Sequence, residues 1–281
     1  MGGCGVEYSE IGLWSEAKLD IIAKYAKAYS RILTKQEIFT HIYVDAFAGP
    51  GLHRAKLTGH LVAGSPLNAL EVEPPFAEYH FIDLDNKRVR ALEKIAADHS
   101  DVQLYHGDAN RILVEKLLPN LDYKSYRRAL CLLDPYGLDL NWEVIKTAGE
   151  LDTVEIFLNF PVHDMNRNVQ IKDPARMDPR QVERMDRFWG DNSWREVAYS
   201  TTANLLGYEE KVCTNDELAE AFRQRLLKVA GFEHVPEPVY MRNSRRAGLY
   251  YLFFASHKPA AAHIVNDIFT TFRAGTGGRL Y

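Results

Sequence analysis

The sequence predicts an α/β protein built on an open, mostly parallel sheet, and three observations carry that prediction. Short β-rich runs alternate with amphipathic stretches between residues 40 and 158, a pattern that implies parallel strands joined by right-handed crossovers. The run Arg128-Ala129-Leu130-Cys131-Leu132-Leu133 is almost continuously apolar, as a strand covered on both faces must be. The predicted strands also end at acids, and the first of these, Asp45, opens into the turn Gly49-Pro50-Gly51.

Taken in order, Leu19, Ile22, Ala23, Ala26 and Ile32 recur at helical spacing and predict a helix over Trp14–Leu33, with Ser15 as its cap. Lys18, Lys24, Lys27 and Lys35 read as its solvated face. A strand through Ile42-Tyr43-Val44 ends at Asp45. Residues 52–63 form a long connection, locally basic through His53, Arg54, Lys56 and His60, before Ser65 caps and Pro66 starts a helix. Strands are then expected over Tyr79–Ile82, Val102–Tyr105, Arg128–Leu133 and Thr153–Leu158, with helices over Asn86–Asp98, around Ile112–Leu117 and over Trp142–Gly149. From about 162 to 214 the alternation stops, and a helical insertion is expected, rich in arginine and carrying Phe188, Trp189 and Trp194. An amphipathic helix over Asn215–Ala230 follows. Val239-Tyr240-Met241 and Leu249 to Phe254 then flank Asn243-Ser244-Arg245-Arg246-Ala247-Gly248 as a hairpin, and a helix over Ala260–Phe272 closes the chain. The sum is a seven-stranded sheet with an antiparallel terminal hairpin, in one domain over 1–281.

At 281 residues the chain can bury a full core. Its 46% hydrophobic and 26% charged residues, with a net charge of −4, are those of an ordinary soluble enzyme and exclude a generally basic, DNA-coating protein. Cys4, Cys131 and Cys213 form no C-x-x-C pair, so zinc, iron–sulfur and disulfide frameworks are not expected. The start lacks a signal-peptide core and no apolar run reaches the roughly 20 residues of a membrane helix. A cytoplasmic location is expected.

The acids carry the chemistry. Five alternating strands followed by a hairpin are the order of the class I methyltransferase fold, and Asp45, Asp83, Asp108 and Asp134 fall at its motif positions. On that reading Asp45, Phe47, Gly49 and Gly51 hold the amino-acid end of S-adenosylmethionine. Asp83 takes the ribose diol, for which a two-oxygen acceptor is suited, and Asp108 accepts from the adenine amine. The plain alternative makes each acid the cap of the helix after its strand, a reading that suits Asp85 better than Asp83. A dehydrogenase fits less well, because Pro50 and a long loop replace the G-x-G-x-x-G turn that enters a helix at once.

Asp134-Pro135-Tyr136-Gly137 is the catalytic candidate. It resembles the Asp-Pro-Pro-Tyr motif of enzymes that methylate amines of nucleic-acid bases, and more closely the Asp-Pro-aromatic-Gly form of tRNA guanine dimethyltransferases. Asp134 and the Pro135 carbonyl would orient an exocyclic amine, and Tyr136 would stack on the base. One proline stands where the adenine enzymes have two, so the target base stays open. Asn159 and Phe160 at the next strand end read either as a second amide and aromatic wall or as a turn. Arg242, Arg245 and Arg246, with His53, Arg54 and Lys56, read either as phosphate contacts or as solvated loops. Phe188 to Trp194 read either as a stacking surface or as the insertion's own core.

Across most of its length the chain resembles the three-Cys-motif partner protein family. The resemblance rests on Trp14-Ser15-x-x-Lys18, Tyr43 to Gly51, Gly64-Ser65-Pro66, Phe81-Ile82-Asp83, Asp134 to Gly137, Asn159-Phe160-Pro161 and Tyr250 to Ser256. It implies a methyltransferase-like domain that associates with a separate protein bearing a three-cysteine motif. Three functions follow as expectations: an S-adenosylmethionine-dependent methyltransferase acting on an exocyclic amine of a nucleic-acid base, a cofactor-binding partner subunit without activity of its own, or a methyltransferase of small molecules or proteins.

Overall fold

Burial alternates along the strands in a way that fixes the layers. In β2 (Thr40–Asp45) Ile42 and Val44 face one core cluster and Tyr43 the other. In β7 (Arg127–Leu133) Ala129, Cys131 and Leu133 face the first cluster, and Leu130 and Leu132 the second. Side chains that alternate between two cores require helices on both faces of the sheet. The computed structural model describes residues 9–200, 211–242 and 248–276; Arg245 and Arg246 lie outside them.

The elements are β1 (Ser9–Ile11), α1 (Leu13–Thr34), β2, β3 (Leu52–Ala55), β4 (Leu61–Ala63), α2 (Ser65–Leu70), β5 (Glu78–Asp83), α3 (Asn86–Ile95), β6 (Val102–His106), α4 (Ala109–Ile112) and β7. Then come α5 (Trp142–Gly149), β8 (Val154–Phe160), α6 (Val162–Asn168), α7 (Pro179–Trp189), α8 (Trp194–Ala198), α9 (Asn215–Lys228), β9 (Val239–Arg242), β10 (Gly248–Ala255) and α10 (Pro259–Thr276). Among the described residues the main sheet has seven strands in the order β6-β5-β2-β7-β8-β10-β9. Every pairing from β6 to β8 is parallel, and β10 runs antiparallel to both β8 and β9. This is the expected sheet with its terminal hairpin, and its order reverses between β2 and β7, where open α/β sheets bind ligands.

Four local expectations give way. Residues 52–63 are not a plain connection: β3 and β4 form a hairpin that joins β1 in a separate three-stranded sheet. Strands of three and four residues are too short to leave a period in the sequence. Gly12 and Gly64, not Ser15 and Ser65, stand at the N-caps of α1 and α2, without a side-chain cap bond. The buried face of α1 runs through Lys18, Ile21, Ile22, Tyr25, Ala26 and Tyr29, whereas Ile32 is exposed. Lys18 therefore lies on the core side of the helix and not on a solvated face.

The insertion contributes helices α6, α7 and α8, and its aromatics are interior. Phe188, Trp189 and Trp194 are wholly buried and belong to the same cluster as Trp142, Phe160 and Phe222. Burying one such ring contributes roughly 1.5–3 kcal/mol, so they are core residues rather than a stacking surface, and the core they join is the main one. Among the described residues no helix is long and apolar enough to cross a membrane, and no group of three or more His, Cys, Asp or Glu is placed to hold a metal ion.

Candidate active site

The sheet order puts the four acids in a row. Asp108 follows β6, Asp83 ends β5, Asp45 ends β2 and Asp134 follows β7, and these strands are neighbours in that order. With strands about 4.8 Å apart, three gaps spread the row over about 14 Å along the carboxyl edge of the sheet.

Asp45 is fully buried. Its Oδ1 accepts from the Phe47 N–H at 3.3 Å, while its Oδ2 has no hydrogen-bond partner among the described residues. Burial pushes its carboxyl up to about 7, against the Ser65 hydroxyl, the Phe47 N–H and the Lys18 charge, which favour ionisation. A buried carboxylate oxygen left unpaired is costly, and its satisfaction by a ligand donor removes that cost. Beside it Gly49 and Gly51 have φ of 65° and 78°, a left-handed conformation that glycine adopts without strain. A Cβ on Gly51 would also come within 2.6 Å of Ile95. His53, from β3, closes over this turn: a Cβ on Gly64 would meet its Nε2 at 2.9 Å and one on Gly49 its Cε1 at 3.8 Å. The three-stranded sheet thus brings His53 to the glycine turn, and burial with the nearby Lys18 charge lowers its pKa.

Asp83 is buried and holds the turn in place. Its Oδ2 accepts from the Gly49 N–H at 2.9 Å, its Oδ1 accepts from the Asp85 N–H at 2.8 Å, and Arg88 stands 3.5 Å from Oδ2. Each ionised oxygen has a second lone pair, so acceptor capacity for a diol remains. Asp85 caps α3 by accepting from Lys87 N–H. Asp108 is exposed and caps α4, accepting from the Asn110 N–H at 2.9 Å and from Asn110 Nδ2 at 3.1 Å. Helix capping therefore engages Asp108 as well as Asp85, while Asp45 and Asp83 are not caps.

On the other side of the switch point Asp134 is paired. Lys18 donates to its Oδ2, with side chains 9% and 26% exposed. The Lys18 ammonium also lies 5.1 Å from the centre of the Tyr250 ring. Burial works against the Lys18 charge, but Asp134, Tyr250 and Asp45 outweigh it and raise the pKa. Tyr136, two residues on, is 93% exposed. The turn between them and α5 is held from the insertion: Asp164 Oδ2 accepts from the Leu138 N–H at 3.0 Å, and Arg184 Nη2 donates to Asp139 Oδ1 at 2.9 Å. Gly137, at φ 78°, leaves no room for a Cβ because Asp164 would lie 2.4 Å from it.

Asn159 continues the row from β8, buried, with its Oδ1 unpartnered among the described residues. Phe160 does not. Its ring is wholly buried, 4.6 Å from Phe222, 5.8 Å from Phe188 and 5.7 Å from Phe253 between centroids. At the last position of a strand covered on both faces, its side chain turns into the core, so it offers no wall to a substrate. Arg242 is described and lies over the Tyr240 ring at 4.6 Å.

Sequence reasoning missed Lys18, Tyr250 and the Asp164–Arg184 pair as parts of the site. For Lys18 a signal existed: it stands four residues before Ile22 and seven before Tyr25, on the inward stripe. The others depend on contacts between distant segments and leave no local mark.

No family model matches the sequence, and no curated protein matches it. Among solved structures the chain is similar to a Legionella pneumophila protein of the family designated DUF519, at 12% identity over 93% of this chain and 92% of that one, with a TM-score of 0.56. It is similar at lower scores to a putative S-adenosylmethionine-dependent methyltransferase from Listeria monocytogenes (14% identity, 79% of this chain and 93% of that one, TM-score 0.38). Another such methyltransferase, from Clostridium acetobutylicum, has 11% identity over 84% of this chain and 92% of that one, with a TM-score of 0.36. At these identities the likeness concerns the fold alone. The strand order, the parallel pairings and the antiparallel hairpin are those of the class I, Rossmann-like methyltransferase fold.

Proposed function

We propose that this chain binds S-adenosylmethionine and transfers its methyl group to an exocyclic amine of a nucleic-acid base. One observation carries the reading: an acid–proline–tyrosine turn with an exposed aromatic ring stands across the switch point from a glycine turn with an unpaired, buried carboxylate oxygen. The fit to the cofactor rests on that oxygen and on the positive-φ glycines. Asp45, Phe47, Gly49 and Gly51 would hold its amino-acid end, Asp83 its ribose, and Asp108 its adenine.

When bound, the cofactor would supply an electrophilic methyl on a sulfonium and leave as the neutral thioether, the proton shed by the methylated nitrogen passing to the Asp134 carboxylate. The chain's own residues do the rest. Asp134 and the Pro135 carbonyl accept the two N–H bonds of the amine and so orient its lone pair, while Tyr136 presents a face on which the base stacks. Asn159 offers a further acceptor beside Asp134. Lys18 holds the Asp134 carboxylate in one orientation and leaves Oδ1 for the amine.

A second reading is favoured by the same ion pair. With Lys18 on Asp134, the carboxylate is already engaged, as suits a partner subunit that becomes active, or only binds cofactor, beside a three-cysteine-motif protein.

Calorimetric titration of S-adenosylmethionine into the wild type, Asp83→Ala and Asp134→Asn separates these. The expected result is binding by the wild type, none by Asp83→Ala, and unchanged binding by Asp134→Asn with methyl transfer to oligonucleotides reduced about a hundredfold or more. Binding without transfer to any nucleic acid refutes the nucleic-acid reading. No binding by the folded wild type refutes the stand-alone enzyme and moves the titration to the complex with the three-cysteine-motif protein.

A further inference from the structure

A cavity of about 350 Å³ opens at the end of the sheet opposite the candidate active site, between α1 and the start of α10. Val154 and Glu155 line it from the beginning of β8, whereas Asn159 faces the candidate active site from the end of that strand. Four residues at about 3.3 Å each place the two about 13 Å apart, so the cavity is not an arm of the cofactor site.

Two of its polar groups, Arg128 and Tyr29, are unusual in being unspent. Arg128 is buried, with its guanidinium 4.3 Å from the centre of the Phe39 ring and 5.0 Å from that of Tyr123. Its polar contact is a donation from Nη1 to the Arg127 carbonyl at 2.8 Å, and among the described residues no carboxylate pairs with it. Tyr29, 6% exposed, lines the same cavity, and its hydroxyl has no hydrogen-bond partner among the described residues. His257, also buried, lines the cavity with its Nδ1 3.6 Å from Asp152 and 4.0 Å from Glu233. The first turn of α10, an 18-residue helix, brings Ala260 and Ala261 to the wall, with the backbone N–H groups that a helix start leaves free and the positive end of its dipole.

Two acids line the cavity, and neither pairs with Arg128: Asp152, 59% exposed and 3.6 Å from His257 Nδ1, and Glu155. The Tyr25 and Ser256 hydroxyls donate to Glu155, yet burial pushes its carboxyl up to about 7. Much of the remaining wall is apolar, including Leu33, Val154 and Ile264, while Gln36, Thr153 and Lys258 add polar groups to it. A buried cation that no carboxylate pairs with, beside the unpaired Tyr29 hydroxyl and a helix start, asks for an anion. An apolar wall asks that the anion carry an apolar body.

We propose that this cavity is a binding site for a small organic anion with an apolar body, its carboxylate-like head held by Arg128, Tyr29 and the start of α10. The site is independent of the methyl-transfer reading.

The test titrates sodium octanoate, and octylamine in parallel, into the full chain by calorimetry, with and without saturating S-adenosylmethionine. Octanoate should bind saturably at one site, octylamine should not, and the cofactor should leave octanoate binding unchanged. Arg128→Met should weaken octanoate by roughly 10- to 100-fold, the usual loss for a charge-assisted hydrogen bond. Tyr29→Phe, which removes one oxygen and spares the fold, should weaken it by about 2- to 10-fold and carries the test if Arg128→Met does not fold. Absence of binding to the folded wild type, equal binding of the amine, or full octanoate affinity in the folded variants overturns the proposal. Displacement of octanoate by the cofactor overturns the separateness of the two sites.

Discussion

The Lys18–Asp134 pair gives a sharp energetic prediction because its two ends are unequally buried. At contact, two unit charges in an effective dielectric of about 20 attract by about 4 kcal/mol, and desolvating the lysine, 9% exposed, takes back part of that. Asp134→Ala strands the ammonium on the core side of α1 and should destabilise by about 3–5 kcal/mol. Lys18→Met keeps nearly the same volume and leaves a carboxylate that is 26% exposed and can recover water; it should cost about 1–2 kcal/mol. The double variant should cost less than the sum, giving a coupling of about 2–3 kcal/mol in a urea-unfolding cycle. Because the folded-state pKa of Lys18 is raised, the coupling is fully present below the unfolded lysine value and is lost as pH rises through the folded one. It should therefore hold between pH 7 and 10 and fall only above about 10.5. A coupling below about 0.5 kcal/mol, or Lys18→Met as damaging as Asp134→Ala, would refute this account of the pair.

Two further outcomes follow. Asp45 is held at about 7 by burial, so the folded state keeps its proton longer than the unfolded chain does, and the unliganded protein loses up to about 4 kcal/mol as pH rises from about 4 through 7. Asp45→Asn removes that titration, so its urea midpoint should gain on the wild type as pH rises from about 4 to 7 and hold that gain above it; parallel profiles throughout would show that Asp45 is not a source of stored strain. Tyr136 is 93% exposed, so Tyr136→Ala should change stability by less than about 0.5 kcal/mol, while kcat/KM on an oligonucleotide substrate falls by roughly 5- to 150-fold through lost stacking. An unchanged kcat/KM would remove Tyr136 from the site.

What was legible in the chain was what local pattern determines. The apolar alternation of Ile42-Tyr43-Val44, the continuous run before Asp134 and the glycine turn at 49–51 each bear their structure on their face, and together they order the sheet and place the acids. The capping of α3 by Asp85 was also readable, since its side chain bonds two residues on. What failed was of two kinds. The β3–β4 hairpin is too short to show a period and is stabilised by pairing with β1, some forty residues earlier in the chain. Phe160 stands at a strand end, where a ring can turn to solvent or to the core. The choice was made by Phe188 and Phe222 from the insertion and α9, which no reading of residues 154–161 contains.

The same distinction explains how the candidate site is assembled. The turn 134–139 supplies the acid, the carbonyl and the exposed ring, but it does not fix their positions. Lys18 reaches Asp134 across 116 residues from one side, and Asp164 and Arg184 take Leu138 and Asp139 from the other. A short turn carrying a positive-φ glycine has few intrinsic constraints, so its geometry follows from these outer contacts. The insertion between β8 and α9 is therefore part of what aims the turn, and its aromatic packing against α5 and α9 makes that support rigid. Loosening Arg184 should then disturb the orientation of Asp134 without touching the glycine turn, which Asp83 holds separately through Gly49. On the proposed function, cofactor binding and substrate positioning would fall to two differently braced halves of the carboxyl edge, on either side of the switch point between β2 and β7, with Lys18 facing both Asp134 and Asp45.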